Sequence, residues 1–196
     1  MGLTAKDKGG KDFEPVAEGL HHAICYAVID IGTHFNAAFG KWHHQCYIMF
    51  ELPDIRIEIE GKYLPRAISK KFTVSLHEKA ELRKYLTTWR GRAFTEEELQ
   101  GFDITKLMGV NCFIQIIHAK KNDKTYANIA SITPLTKGVQ KKELENKPIY
   151  FSFEDGMTNI PEGVPGWLVD QIKSAKEWGG QSGAEQQDDV SDDIPF

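Results

Sequence analysis

At 196 residues with 41% hydrophobic side chains, the chain has material for one ordinary domain with appendages. No apolar run approaches the ~20 residues of a membrane span, and the polar opening of residues 1–11 has no signal-peptide core. The formal net charge of −4 is unevenly placed: residues 61–94 hold nine bases against two acids, and residues 179–196 hold five acids and no base. A basic middle and an acidic end predict two different partners.

In chain order, residues 1–19 read as a loose arm with Phe13 and Val16 as its anchors. The near-continuous apolar run 22–31 predicts a strand covered on both faces. A loop holding Phe35 and Phe39 leads to a second strand over 42–52. There Trp42, Cys46, Ile48, Phe50 and Leu52 alternate with Gln45, Tyr47, Met49 and Glu51. Pro53-Asp54 is expected to break this strand, and 55–60 to form a separate hairpin arm turned by Gly61. A third strand follows at 67–75. A helix begins near Ser75 and stops at Gly91. Thr95 with Glu98 is a capping box, and Asp103 caps another turn ending at Gly109. Strands at 110–118 and 126–134 close the domain, joined by a polar loop. Residues 135–178 read as a linker and a helix over 165–178, with Trp167, Leu168, Ile172 and Ala175 on one face. The order strand, strand, strand, helix, strand, strand predicts an OB-fold, a five-stranded Greek-key barrel, over residues 20–134. The predicted class is therefore all-β dominated, with an extra hairpin and a C-terminal helix.

Single strands of nucleic acid are held by a basic groove and by aromatic faces on which bases stack. The candidates for phosphate contact are Lys41, Arg66, Lys70, Lys71, Arg90, Arg92, Lys120, Lys121 and Lys124. The candidates for stacking are Trp42, Tyr47, Phe72, Trp89, Phe113 and Tyr126, with Tyr47 and Phe113 opposed to the apolar set of their strands. Metal and cofactor sites are not expected. Cys25, Cys46 and Cys112 are odd in number and far apart, which fits buried free thiols in a reducing cytoplasm. His21-His22 and His43-His44 are adjacent, so each pair offers one ligand to any site on a strand face. No phosphate-loop, serine-elbow or zinc-protease motif is present, so no enzymatic activity is expected.

The final residues Asp192, Asp193, Ile194, Pro195 and Phe196 follow a glycine-rich and acidic stretch, so 179–196 reads as a disordered tail with an aromatic tip. The tip resembles the terminal peptide of bacterial single-stranded DNA-binding proteins. That resemblance implies docking of replication, repair and recombination enzymes. A wider likeness involves Gly2-Leu3-Thr4-Ala5-Lys6, Leu64-Pro65-Arg66-Ala67-Ile68-Ser69-Lys70, Leu76-His77-Glu78-Lys79-Ala80, Trp89-Arg90-Gly91-Arg92-Ala93-Phe94 and Lys124-Thr125-Tyr126-Ala127-Asn128-Ile129. These stretches are similar to a group of bacteriophage and prophage proteins taken to bind single-stranded DNA. The resemblance implies a sequence-nonspecific single-strand binder in the bacterial host cytoplasm. The apolar face of the 165–178 helix is expected to pack on the barrel or on a second subunit of a homodimer. The alternative is an OB-fold adaptor that binds protein and leaves DNA to its partners.

Overall fold

A computed structural model describes residues 14–59 and 61–178. Most of the arm, the acidic tail and its tip lie outside the described residues. The elements are β1 (Gly19–Asn36), β2 (Lys41–Ile59), β3 (Lys62–Thr73), α1 (Glu81–Arg90), α2 (Glu96–Gln100), a 3-10 turn (Ile104–Leu107), β4 (Asn111–Lys121), β5 (Lys124–Pro134), β6 (Ile149–Phe151) and α3 (Gly166–Lys173). Five strands form an antiparallel sheet in the order β3-β2-β1-β4-β5. β5 returns towards β3, but no ladder joins them among the described residues, so the sheet is not closed. β6 adds a short parallel pairing to β1 at Ala27–Ile29.

Both faces of β1 are buried, as its unbroken apolar run demands. Because side chains alternate across a strand, β1 and β2 serve two cores. On the inner face Cys46, Ile48, Phe50 and Leu52 meet Leu82, Leu86 and Trp89 of α1 and the apolar sides of β4 and β5. On the outer face Ala27, Ile29, Ile31 and Met49 meet Ile149, Phe151, Leu168 and Ile172. Residues 135–178 are thus an integral layer over β1 and β2 and not only a linker with a helix. Their strand escapes sequence reading because three residues are too few to show a period.

Two buried carboxylates, Glu51 and Asp30, and the half-buried Glu177 fasten this layer. Glu51, fully buried, accepts from Glu145 N at 3.1 Å, from Asn146 N at 2.7 Å and from Asn146 Nδ2 at 2.7 Å. Asp30 accepts from Gly32 N at 2.7 Å, His44 Nε2 at 2.7 Å and Phe153 N at 3.0 Å. Glu177 accepts from Thr33 N at 2.7 Å and from the Thr33 hydroxyl. Burying a carboxylate is costly unless donors surround it, and here each carboxylate has both side-chain donors and backbone N–H groups that themselves need partners.

The hydrogen bond to Asp30 raises the pKa of His44 above its ordinary value. The stabilisation from its proton is therefore complete below pH 6.5 and is lost as pH rises through the folded-state pKa. Asp30, Glu177 and Glu154 are the charges acting on it. A His44→Gln variant keeps a donor but does not titrate. Its Tm deficit against the wild type is expected to be largest below pH 6.5 and to shrink as the pH rises. A deficit constant across that range would refute the assignment.

Several element boundaries differ from the sequence expectation. Pro53-Asp54 does not end β2. It sits in a bulge between Leu52 and Arg56, after which pairing resumes from Arg56↔Pro65 to Ile59↔Lys62. The expected separate hairpin is therefore the far end of β2 and β3. α1 starts at Glu81 and not at Ser75, because Ser75 Oγ and His77 Nδ1 accept from backbone N–H groups at 77 and 79 and hold a non-helical turn. The capping box at Thr95 and the Asp103 cap are present. α3 ends at Lys173, and residues 174–178 continue as turns. Cys25, Cys46 and Cys112 are buried and free, and burial pushes the first two thiols up to about 12.

Candidate nucleic-acid interface

Two hairpins project from one end of the sheet. β2 and β3 run on past the bulge at Leu52. β4 pairs with β1 only over Asn111–Ile116, so its remainder and the start of β5 extend as a second arm. A two-residue type I′ turn needs positive φ at both positions, and Asn122 and Asp123 supply φ of 49° and 59°. Between β3 and β5 lies a cleft of about 350 Å3, with Arg66, Ala67, Lys124, Tyr126 and Val16 in its walls. Arg66 donates to the Glu14 carbonyl, and His118 Nε2 lies 2.8 Å from the Val16 carbonyl. The chain therefore enters the fold at this cleft. Three predicted residues, Arg66, Lys124 and Tyr126, are brought together here although about 60 residues separate Arg66 from the others. Lys120 and Lys121 are exposed further along the same arm. Tyr63, 68% exposed on the other arm, is an aromatic that sequence reading missed.

A second patch sits at the opposite end, around the β1–β2 turn. Lys41 is exposed and Trp42 is 56% exposed, with its ring 5.4 Å from that of Phe35. Phe39 is 73% exposed beside them in sequence. Lys176 Nζ stands 5.7 Å from the Trp42 ring centre. Phe35 and Phe39 were visible as the aromatics of the loop. Lys176 was not legible, since only the folding back of residues 135–178 brings it there.

Between the two ends, the outer face of β2 and β3 shows Tyr47 opposite Lys71. Directly opposed residues share a face, and Lys71 is exposed. Tyr47 is half-buried because Trp167 of α3 meets it edge-on at 5.0 Å. Phe113 is also half-buried, 5.7 Å from His22.

Five predicted contacts have other partners: two lie in the core and three are held in ion pairs. Phe72 is a core residue packed against Tyr85, since it pairs with Cys46 on the inner face. Trp89 lies in the same core against Phe50. Lys70, on that inner face, reaches out past the Tyr85 ring at 4.7 Å to an ion pair with Glu81 at 3.0 Å. Arg90 is sandwiched: its guanidinium lies 4.3 Å from the Phe94 ring centre and 5.0 Å from that of Phe102, and it binds Glu98. Arg92 is more exposed, yet it grips the same carboxylate at 2.6 and 3.0 Å. Bonds from Arg90 and then Arg92 hold the Glu98 carboxyl well below the usual range. Gly91, at φ 67°, caps α1 and reverses the chain so that Glu98 can face both guanidiniums. The Trp89–Phe94 segment thus joins α1 to α2 by side-chain bonds, which its spacing alone did not reveal.

Among the described residues no group of three or more His, Cys, Asp or Glu side chains is placed to hold a metal ion. None of the described helices is long and apolar enough to cross a membrane. No protein-family model matches the chain, and no curated protein matches it in sequence.

Proposed function

We propose that this protein binds single-stranded DNA without sequence preference, through an OB-fold, and recruits DNA-processing enzymes by its C-terminal tip. The fold reading is supported by the strand order β3-β2-β1-β4-β5 with a helix between β3 and β4 and with β5 turning back to β3. The observation that carries the functional reading is the cleft that gathers Arg66, Lys124 and Tyr126 between two hairpin arms. Guanidinium and ammonium groups meet phosphates, and an exposed phenol ring offers a face to a base. Lys120 and Lys121 extend the basic path, while Lys41, Trp42 and Phe35 form a second stacking platform. The setting is the bacterial host cytoplasm, in phage DNA replication or recombination, with no catalytic step of its own.

The test is a mobility shift of a labelled thymidine oligonucleotide against duplex competitor. Retardation that duplex does not reverse supports the reading. No shift, with a partner enzyme still captured, would favour the adaptor alternative. Deleting residues 192–196 is expected to leave DNA binding intact or stronger, because an acidic segment competes with DNA for the basic groove. The same deletion should abolish capture of the partner enzyme. Weaker DNA binding after the deletion would contradict the assigned role of the tip.

A further inference from the structure

We infer that α3 supplies a base-stacking residue, Trp167, to the nucleic-acid face. The inference rests on the single-strand reading above. The apolar residues that dock α3, Leu168 and Ile172, are fully buried, whereas Trp167 beside them is 47% exposed. Docking the helix therefore does not require an indole at this position. The indole and the Tyr47 ring stand at 80° to each other with centres 5.0 Å apart, a favoured geometry for an aromatic pair. Tyr47 lies opposite exposed Lys71 on the outer face of β2 and β3. Ring, ring and ammonium thus share one stretch of surface.

That set fits single-stranded DNA. An indole braced by a neighbouring ring has little rotamer freedom left to lose, and its open side can take a base while Lys71 meets a phosphate. The 135–178 layer hides much of Tyr47, the ring expected to stack from β2, and offers Trp167 in its place. The same layer places Lys176 over Trp42, so it contributes to both aromatic sites. Docking of the layer and binding of the strand are therefore coupled.

Two variants and one spectroscopic signal test this. Trp167→Leu keeps an apolar side chain against Tyr47 but removes the flat face, and Trp167→Phe keeps both. With melting temperatures close to wild type, Trp167→Leu is expected to bind oligo(dT) at least about 5-fold more weakly, and Trp167→Phe to recover most of the loss. In a Trp42→Phe, Trp178→Phe protein the remaining tryptophans are Trp167 and buried Trp89. Oligo(dT) should quench its emission, whatever the stability of the Leu variant. Unchanged affinity in a folded Trp167→Leu protein, or no quenching, overturns the inference while leaving single-strand binding standing. A wild-type protein that binds no oligo(dT) overturns the single-strand reading and this inference with it.

Discussion

Gly32→Ala is expected to destabilise the protein by about 3 kcal/mol, from left-handed backbone strain of about 1 kcal/mol and overpacking of about 2 kcal/mol. Gly32 has φ +75°, a region L side chains rarely adopt. A Cβ built there would lie 2.6 Å from Ala175 Cβ, 2.6 Å from Glu177 Oε2 and 2.9 Å from Phe153 Cε2. Those three neighbours belong to the layer that covers β1; the Glu177 carboxylate can swing aside, but Ala175 Cβ can yield only if its backbone moves away from β1. The adjoining Thr33 holds the same layer through Glu177 and through its carbonyl, which accepts from Lys176 N at 3.1 Å. The effect should therefore appear as loss of the layer as well as a lower midpoint in urea. Denaturation followed by tryptophan emission checks it, since Trp178 packs against Phe153. A change below about 0.5 kcal/mol, the range of ordinary surface substitutions, would mean that the layer is not seated as described.

The largest effect on binding is expected from Arg66→Glu combined with Lys124→Glu. These residues stand on opposite walls of the cleft, on β3 and β5. Reversing both replaces two proposed phosphate contacts by repulsion, and affinity for oligo(dT) should fall more than about 10-fold at low salt. Each single-strand phosphate contact contributes about 0.7 to the slope of log K against log salt, so the slope should become shallower by about 1.4. Arg92→Ala is the matched control. Its guanidinium already serves Glu98, and its removal should change affinity less than about 2-fold. A control as damaging as the double reversal would relocate the strand to the α1–α2 corner.

The sequence made the skeleton readable because its signals were local. Alternation in β2, the two-faced run of β1, the Thr95 capping box and the Asp103 cap each report on neighbours a few residues away. The candidate site was readable only in part, because residue type does not say which way a side chain faces. Phe72 and Lys70 fell on the inner face through the register of β3 against β2, fixed by pairing across the sheet. Arg90 and Arg92 had a carboxylate partner six to eight residues away in a separate helix. The 135–178 layer was least legible, since its strand is three residues long and its anchors, Asp30 and Glu51, read as ordinary strand polar positions. What had looked like one basic stretch over residues 61–94 divides into groups spent on ion pairs, such as Lys70, and groups left on the outer face, such as Lys71.

The central claim is tested most directly by titrating intrinsic tryptophan fluorescence with oligo(dT) at low and moderate salt, with duplex DNA as competitor. Trp42 and Trp167 are the exposed reporters, and each stands beside a proposed contact. The expected result is saturable quenching that duplex does not reverse and that weakens as salt rises. Emission unaffected by oligo(dT), together with no mobility shift, or quenching that duplex removes as readily as single strand, would contradict it.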